Sequence, residues 1–193
     1  MHFAAVLLAL FLAATAVFAN PAVERANLSV VSVEITTPEG RQRCAGFVYA
    51  PGRIMTAGHC TLHGTGFTVH YVDGGVSTAT LVAESPEDIA ILQIVRHTSR
   101  PALLGNPAEL RPGDPVFSIG APGGRGWTVT AGVVTRTGDE IQHSALIAPG
   151  SSGGPLLNSR GEIVGMNVRV GEFPFICIAI SIDYAMKIAA RLP

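Results

Sequence analysis

The chain has 193 residues, of which 48% are apolar and only 14% are charged, and its formal net charge is −1. This length fits one folded unit with a sizeable core, and the near-neutral charge argues against a basic surface for nucleic acid or anionic lipid. We therefore expect no nucleic-acid partner. The 22 glycines and 13 prolines are typical of many short strands joined by tight turns.

The N-terminus is an uncharged, mostly apolar run from Phe3 to Ala19. It is short for a membrane-spanning helix and ends in the small-residue pattern that a signal peptidase reads. We predict a signal peptide over residues 1–19, a mature chain that starts near Asn20, and no membrane attachment after cleavage. An uncleaved signal anchor is the alternative, because no Lys or Arg precedes the apolar run. Either way, the rest of the chain is exported to the periplasm or secreted.

Alternating, β-branched segments follow along the chain and predict an all-β fold. Before residue 95 they cover residues 28–35, 46–49, 53–56, 67–72, 77–82 and 89–94. A proline-containing segment, 98–115, then indicates a linker. Candidate strands resume at 116–119, 128–130, 133–135, 140–142, 155–157, 163–168 and 175–180. Apolar residues at helical spacing over 183–192 predict a short C-terminal helix.

Three separate fragments carry candidate catalytic residues: Thr-Ala-Gly-His-Cys with His59, Asp-Ile-Ala with Asp88, and Gly-Ser-Ser-Gly-Gly-Pro-Leu with Ser152. A serine hydroxyl is a poor nucleophile at neutral pH, so it needs a base within hydrogen-bond reach and a third group to orient that base. The order His, Asp, Ser is that of chymotrypsin-type hydrolases. We predict Ser152 as nucleophile, His59 as base and Asp88 as the orienting carboxylate.

Other polar residues compete with these assignments. Glu84 and Glu87 are carboxylates close to Asp88, but Asp88 stands immediately before an apolar strand, which favours it. His63 follows His59 at a spacing that could bind a metal on a helix, yet no third ligand is evident. We expect no metal and no other cofactor. The remaining histidines, His70, His97 and His143, are interpreted as surface or strand residues.

Together with Ser118–Gly124, Thr128–Val134 and Gly161–Asn167, these fragments resemble the trypsin-like serine peptidases, most closely their HtrA/Deg branch. The resemblance covers about residues 28–190 and implies two antiparallel six-stranded β-barrels: a first barrel over 28–97, a linker over 98–115, a second barrel over 116–182 and a C-terminal helix over 183–192. Ser151 departs from the family, since HtrA members usually carry Asn there and trypsins carry Asp. We also expect no PDZ domain after the peptidase domain.

The resemblance also implies further site residues. Backbone amides of Gly150 and Ser152 would form an oxyanion hole, and a disulfide would join Cys44 to Cys60, which suits an oxidising compartment. Cys177 is left over and is given no catalytic role. The specificity pocket would be lined by Leu146, Ile147, Val168 and Cys177.

The pocket segment contains no carboxylate to pair with a substrate Lys or Arg, so we expect cleavage after small or medium aliphatic residues in extended or unfolded segments. The predicted function is thus an exported serine endopeptidase that cuts protein or peptide substrates through an acyl-enzyme intermediate. The alternative is a catalytically silent homologue acting as a binding module. HtrA relatives often form trimers through N-terminal segments, for which this chain offers little material before its first strand.

Overall fold

A computed structural model describes residues 20–94, 100–122, 127–173 and 175–192. The described chain forms two closed antiparallel barrels of six strands each, which confirms the predicted fold. The predicted signal peptide lies outside the described residues, as do residues 123–126 of the glycine-rich run. Within the described ranges, no helix is both long enough and apolar enough to cross a bilayer.

The first barrel follows the strand order β1-β2-β3-β6-β5-β4. Period-two burial is clear along the fourth strand, where Phe67, Val69 and Tyr71 face the barrel interior and the residues between them are half-exposed. The bounds are β1 (Val30–Thr37), β2 (Gly40–Ala50), β3 (Arg53–Ala57), β4 (Gly66–Tyr71), β5 (Val76–Ser85) and β6 (Ile89–Ile94).

The second barrel follows the order β10-β11-β12-β9-β8-β7. Its bounds are β7 (Pro115–Gly120), β8 (Thr128–Arg136), β9 (Glu140–His143), β10 (Pro155–Asn158), β11 (Ile163–Val170) and β12 (Cys177–Ser181). The predicted break between 128–130 and 133–135 is wrong, because both segments belong to β8. A Cβ on Gly132 would collide with the backbone of Ser144 and Ala145. Glycine is needed here because another segment approaches closely, not because the chain turns.

Three short helices accompany the barrels in the described ranges: α1 (Pro21–Asn27), α2 (Gly58–Thr61) and α3 (Ile182–Ala189). The last confirms the predicted C-terminal helix, although it ends earlier than expected. Helix α1 has no counterpart among the predicted elements. Its signals are local: Asn20 caps the helix by accepting from the amide of Ala22 at 3.0 Å, and Pro21 occupies the first turn.

The two barrels pack through one continuous apolar cluster. Helix α3 belongs to it, burying Ile182, Ala185 and Ile188. The linker is bonded to both barrels, since Ala102 donates its amide to the carbonyl of Val48 and Ile163 donates its amide to the linker carbonyl of Leu103, both at 2.8 Å. These contacts fix the two barrels against each other.

Candidate active site

His59 and Asp88 are brought together by the pairing of β3 with β6. Ala57, the last residue of β3, pairs with Ile89, the first residue of β6. His59 lies two residues after Ala57 in helix α2, and Asp88 immediately precedes Ile89. Because antiparallel partners place the end of one strand beside the start of the other, this register sets both side chains at the same rim of the first barrel.

The contact between these two residues is close and doubly bonded. Asp88 Oδ2 lies 2.9 Å from His59 Nδ1, and Asp88 Oδ1 accepts from the His59 backbone amide at 2.7 Å. The hydrogen bond to Asp88 raises the pKa of His59 above its usual 6.5, against the opposing effect of partial burial. The geometry therefore keeps the ring proton on Nδ1, which donates to Asp88, and leaves Nε2 as the basic nitrogen.

Local backbone features allow this close approach. Asp88 has a φ of +64°, in the left-handed region that Asp tolerates better than most residues. Gly58 has no side chain at the point where a Cβ would lie 3.2 Å from the backbone of Asp88. Glu84, by contrast, accepts a hydrogen bond from Thr61 at 3.1 Å, and Glu87 is exposed. Of the three candidate carboxylates, Asp88 is the one bonded to His59.

Ser152 lies on a loop that is built from two consecutive tight turns. The first spans residues 148–151 and closes through a bond from the Ser151 amide to the carbonyl of Ala148 at 2.8 Å. Its central residues are Pro149 and Gly150, and Gly150 has a φ of +100°. Proline followed by a residue of positive φ is the pattern of a type II turn, which explains why glycine is required at 150.

The second turn spans residues 151–154 and contains Ser152 itself. The amide of Gly154 donates to the carbonyl of Ser151 at 3.0 Å, and Gly153 takes the left-handed position with a φ of +81°. Ser152 is thus the first central residue of a tight turn, a position from which its side chain projects away from the loop. Its hydroxyl donates to the carbonyl of Val168 at 3.4 Å.

The loop belongs to the second barrel but is bonded to the first. The amide of Ala45 in β2 donates to the carbonyl of Ser152 at 2.8 Å. A Cβ on Gly153 would collide with the carbonyl of Ala45 and the hydroxyl of Thr56. The disulfide between Cys44 and Cys60 is present, as the resemblance implied. Cys44 precedes Ala45, which binds the carbonyl of Ser152, and Cys60 follows His59 in helix α2. The disulfide therefore links the strand that holds the Ser152 loop to the helix that carries His59.

Two backbone amides around the candidate nucleophile are unpaired. Across the described ranges, the amides of Gly150 and Ser152 donate no hydrogen bond, whereas that of Ser151 closes the first turn. Ser151 is buried at 5% exposure, with its hydroxyl 3.5 Å from the amide of Ala148. Unpaired amides at a nucleophile and two residues before it can stabilise negative charge on an oxygen that both of them bind.

Two open clefts meet at His59. One, of about 400 Å³, runs between His59, Leu62 and residues 39–42 at the start of β2. The other, of about 420 Å³, is lined by Gly58, His59, Leu62 and the segment before Asp88. The imidazole therefore stands between two depressions, which suits an extended chain passing across it.

The four predicted pocket residues lie in three segments of the second barrel: the loop after β9, strand β11 and strand β12. Val168 in β11 and Cys177 in β12 are buried, whereas Leu146 is 52% exposed and Ile147 is half-buried. Burial raises the pKa of the Cys177 thiol, and its contact with the backbone of Ile147 acts in the opposite direction. All four residues are apolar or neutral, and among the described residues no three His, Cys, Asp or Glu side chains cluster as a metal site would require.

Two polar residues beneath the serine loop have no role in the sequence analysis. His143 lies in a strand, as expected, but is completely buried, and Asn167 in β11 is buried as well. The available signal for Asn167 was a polar side chain inside the apolar run 163–168. Alternation alone does not tell which partners such a side chain meets.

The trypsin-like peptidase domain family model matches residues 44–166. This range contains His59, Asp88 and Ser152. The chain belongs to the trypsin-like peptidase domain family.

Relatives within this family point to its HtrA/Deg branch. The chain is 34% identical over 169 residues to a probable periplasmic serine endoprotease, DegP-like, of Hahella chejuensis, covering 80% of this chain and 36% of the relative. It is 36% identical over 163 residues to a protein of the same name from Pseudomonas savastanoi, covering 77% of this chain and 34% of the relative. The chain thus spans about a third of the length of these curated relatives.

Solved structures agree with this placement. The HtrA-type protease AlgW with a tripeptide superposes with a TM-score of 0.83 at 30% identity, over 88% of this chain and 61% of that one. The serine endoprotease from Yersinia pestis superposes with a TM-score of 0.83 at 32% identity, over 89% of this chain and 65% of that one.

Proposed function

We propose that this protein is an exported serine endopeptidase, with Ser152 as nucleophile, His59 as general base and acid, and Asp88 as the orienting carboxylate. One observation carries the proposal: the Asp88–His59 pair, joined at 2.9 Å, stands at the rim against which the second barrel holds the Ser152 turn with two unpaired amides. Membership of the trypsin-like peptidase family supports it, as do relatives named serine endoproteases.

The reaction runs in two halves. His59 Nε2 takes the hydroxyl proton as Ser152 Oγ attacks the scissile carbonyl carbon, and the oxyanion is bound by the amides of Gly150 and Ser152. Collapse of this intermediate breaks the C–N bond, and His59 gives its proton to the departing amine, leaving an ester on Ser152. Water, deprotonated by His59, then hydrolyses the ester and restores the hydroxyl.

The end of β11 provides an edge for the substrate backbone. Arg169 and Val170 are exposed, and the carbonyl of Val168 accepts from Ser152 in the free protein. An extended substrate that adds as a strand to residues 168–170 would take this carbonyl with its own amide. The hydroxyl of Ser152 would then be free to turn towards His59.

The apolar lining of the pocket supports a preference for small or medium aliphatic residues before the cut. Leu146, Ile147, Val168 and Cys177 offer no carboxylate for a substrate Lys or Arg. An apolar pocket separates neighbouring aliphatic side chains by only about 1–3 kcal/mol, so the preference is broad. A digest of a peptide library should be dominated by cuts after Ala, Val or Leu; cuts mainly after Lys, Arg or Asp would contradict this.

Maturation needs no cleavage beyond signal removal in this proposal. In trypsin-type zymogens a new N-terminus pairs with an aspartate just before the nucleophile, and here that position is Ser151, which cannot form an ion pair. The periplasmic relatives and the Cys44–Cys60 disulfide support export to an oxidising compartment. A protein beginning near Asn20 should therefore be active as isolated, and inactivity until a further internal cut would refute this.

A fluorophosphonate probe on the purified protein tests the central proposal. We expect one covalent adduct, located at Ser152 by mass spectrometry, and loss of both labelling and peptide hydrolysis in Ser152→Ala. Ser151→Ala serves as the matched control, because the neighbouring hydroxyl is buried within the turn and should not be labelled. A folded protein that is not labelled, or hydrolysis that persists in Ser152→Ala, would favour the silent binding homologue or another nucleophile.

A further inference from the structure

Asn167 is a completely buried residue of strand β11 and the one polar side chain among the strand's buried residues. Its position in the register places it opposite Ala179, whose side chain belongs to the interior of the second barrel. Side chains directly opposite each other in an antiparallel sheet lie on the same face. Asn167 therefore points into the barrel, directly beneath the loop that carries Ser152.

The backbone of Asn167 is bonded to the chain just after Ser152. The amide of Gly153 donates to the carbonyl of Asn167 at 2.7 Å, and the amide of Asn167 donates to the carbonyl of Gly154 at 2.8 Å. These two bonds continue the pairing of β10 with β11 up to the residue next to the nucleophile. They fix the C-terminal side of the second turn.

The side chain of Asn167 holds the same segment a second time. Its Nδ2 group donates towards the carbonyls of Gly154 and Pro155, each at 3.1 Å, and towards the hydroxyl of Ser118 at 2.9 Å. Carbonyl oxygens only accept, so the amide nitrogen must face them. Without a donor between them, two converging carbonyls would repel and lack a buried partner.

The titratable neighbour of the Asn167 side chain is His143. His143 is fully buried, and its strand partners are Val134 and Cys177. Burial lowers the pKa of His143 to about 4, while Asn167 and the backbone of Ala145 act in the opposite direction. The imidazole next to Asn167 is therefore uncharged at neutral pH, and none of these neighbours brings a charge to the amide.

We propose that Asn167 is a positioning residue for the nucleophile, which holds the segment Gly153–Pro155 and thereby sets the direction of Ser152. This inference rests on the proposed function in taking Ser152 as the nucleophile. Because Asn167 acts through the Ser152 turn and does not touch the substrate, its loss should lower kcat and leave KM nearly unchanged.

The matched pair Asn167→Ala and Val164→Ala tests the proposal. Both residues are completely buried in β11, but Val164 packs in the barrel core away from the loop. We expect Asn167→Ala to lower kcat and the rate of Ser152 labelling by about 10- to 100-fold, as misplacement of a reacting group does. Val164→Ala should lower the thermal midpoint of unfolding. At temperatures below its own midpoint, this variant should retain the wild-type kcat.

Amide exchange gives a readout that does not depend on activity. In Asn167→Ala, the amides of Gly153 and Gly154 should exchange faster than in the wild type, and in Val164→Ala they should not. If the wild-type protein labels at Ser152 but Asn167→Ala keeps its kcat and its exchange rates, the inference is wrong while the proposed function stands. If the wild type does not label, the proposed function is wrong, and exchange alone decides whether Asn167 holds the loop.

A second variant separates positioning from packing. Asn167→Asp keeps the shape but replaces the amide donor, and the introduced carboxyl can donate towards the carbonyls only when it is protonated. The ratio of its kcat to that of the wild type should fall as pH rises through the pKa of this carboxyl. A ratio that stays flat with pH, or equal losses of kcat in Asn167→Ala and Val164→Ala, would overturn the proposal.

Discussion

At the scale of single residues, the unusual backbone of Asp88 is tied to its chemistry. Its φ of +64° turns the carboxylate back onto the start of α2, where it meets both the ring and the amide of His59. A carboxylate that accepts from Nδ1 holds the imidazole in one tautomer and stabilises the imidazolium formed during the reaction. A side-chain amide at this position would have nearly the same shape but would lack the negative charge.

We therefore predict that Asp88→Asn lowers kcat by about 10⁴-fold while the protein stays folded. Glu84→Gln is the matched control, because Glu84 bonds to Thr61 rather than to His59, and it should keep most of the activity. Peptide hydrolysis under saturating substrate measures both variants. Comparable losses in the two variants would mean that the acidic segment, rather than Asp88 itself, supports catalysis.

The pH dependence of activity follows from the same pair. Since the pKa of His59 is raised, imidazolium persists above the usual 6.5, and only the neutral ring can take the proton of Ser152. The acid limb of kcat/KM should therefore have its midpoint above pH 6.5 in the wild type. In the residual activity of Asp88→Asn this midpoint should move to lower pH, and an unchanged midpoint would contradict the assignment.

His143 predicts a pH dependence of stability rather than of catalysis. Its pKa is about 4 in the folded protein, so the unfolded chain binds a proton that the folded chain does not between pH 6.5 and 4. Stability should fall as pH decreases through this window, by about 3 kcal/mol in total. Its neighbours Val134, Asn167 and Cys177 carry no charge there that would offset the loss.

Urea unfolding at several pH values measures this effect. His143→Gln should show a smaller dependence of the free energy of unfolding on pH between about 4 and 6.5, because it lacks the titrating ring. His63→Asn changes an exposed histidine and should keep the wild-type slope. Equal slopes in the wild type and His143→Gln would show that the buried imidazole is not the group responsible.

At the scale of elements, Gly153 in the second turn at Ser152 is more tightly constrained than Gly74, a glycine in an ordinary surface turn. Gly153 and Gly74 both have a positive φ, but a Cβ on Gly74 would meet open space, whereas one on Gly153 would strike Ala45, Thr56 and Ala57. The two positions therefore share the conformational cost of alanine and differ in steric overlap.

Gly153→Ala should accordingly be less stable than Gly74→Ala by about 1–3 kcal/mol, the usual cost of overpacking. It should also lower kcat by about 100-fold, because the loop must shift from Ala45 and carry Ser152 with it. Urea unfolding and peptide hydrolysis measure the pair. If both variants lose the same stability and retain activity, the contact between the Ser152 loop and the first barrel does not position the nucleophile.

Most strands could be predicted from the sequence because period-two burial leaves a local trace, as in β4. The sequence predicts two strands where β8 is one, because a glycine that ends a strand and one that admits a close neighbouring segment look alike in sequence. The segment close to Gly132, Ser144 and Ala145, is distant along the chain. Helix α1 was missed since its seven residues are too few for an apolar period, leaving only its cap and proline.

The candidate catalytic residues stand out in the sequence because rare local motifs carry them, and the register of β3 with β6 brings His59 to Asp88. The contacts beneath Ser152 could not be predicted from the sequence. Asn167 meets Gly154 and Ser118 only after β7, β10 and β11 have paired, and no short-range pattern encodes that three-strand contact. Local motifs therefore point to candidate reacting groups more readily than to the groups that would hold them in place.

At the scale of the whole molecule, the disulfide ties α2 to β2 across a separation of 16 residues. Removing it should lower the free energy of unfolding by about 3 kcal/mol in the chain-entropy model. We predict that a reductant lowers the thermal midpoint of the wild type. The double variant Cys44→Ser, Cys60→Ser should have the lower midpoint with or without reductant, whereas a wild-type midpoint insensitive to full reduction would contradict the prediction.

The division of the reacting groups between two barrels also has a consequence for timing. His59 and Asp88 are complete once β6 has formed, but Ser152 and the β11 strand that supports it come from the later half of the chain. The carbonyl of Ser152 is, moreover, bonded across to Ala45 of the earlier half. Under the proposed function, a chain that emerges from a ribosome or a translocation pore, N-terminus first, is therefore expected to cut no neighbouring protein until both halves have emerged and docked.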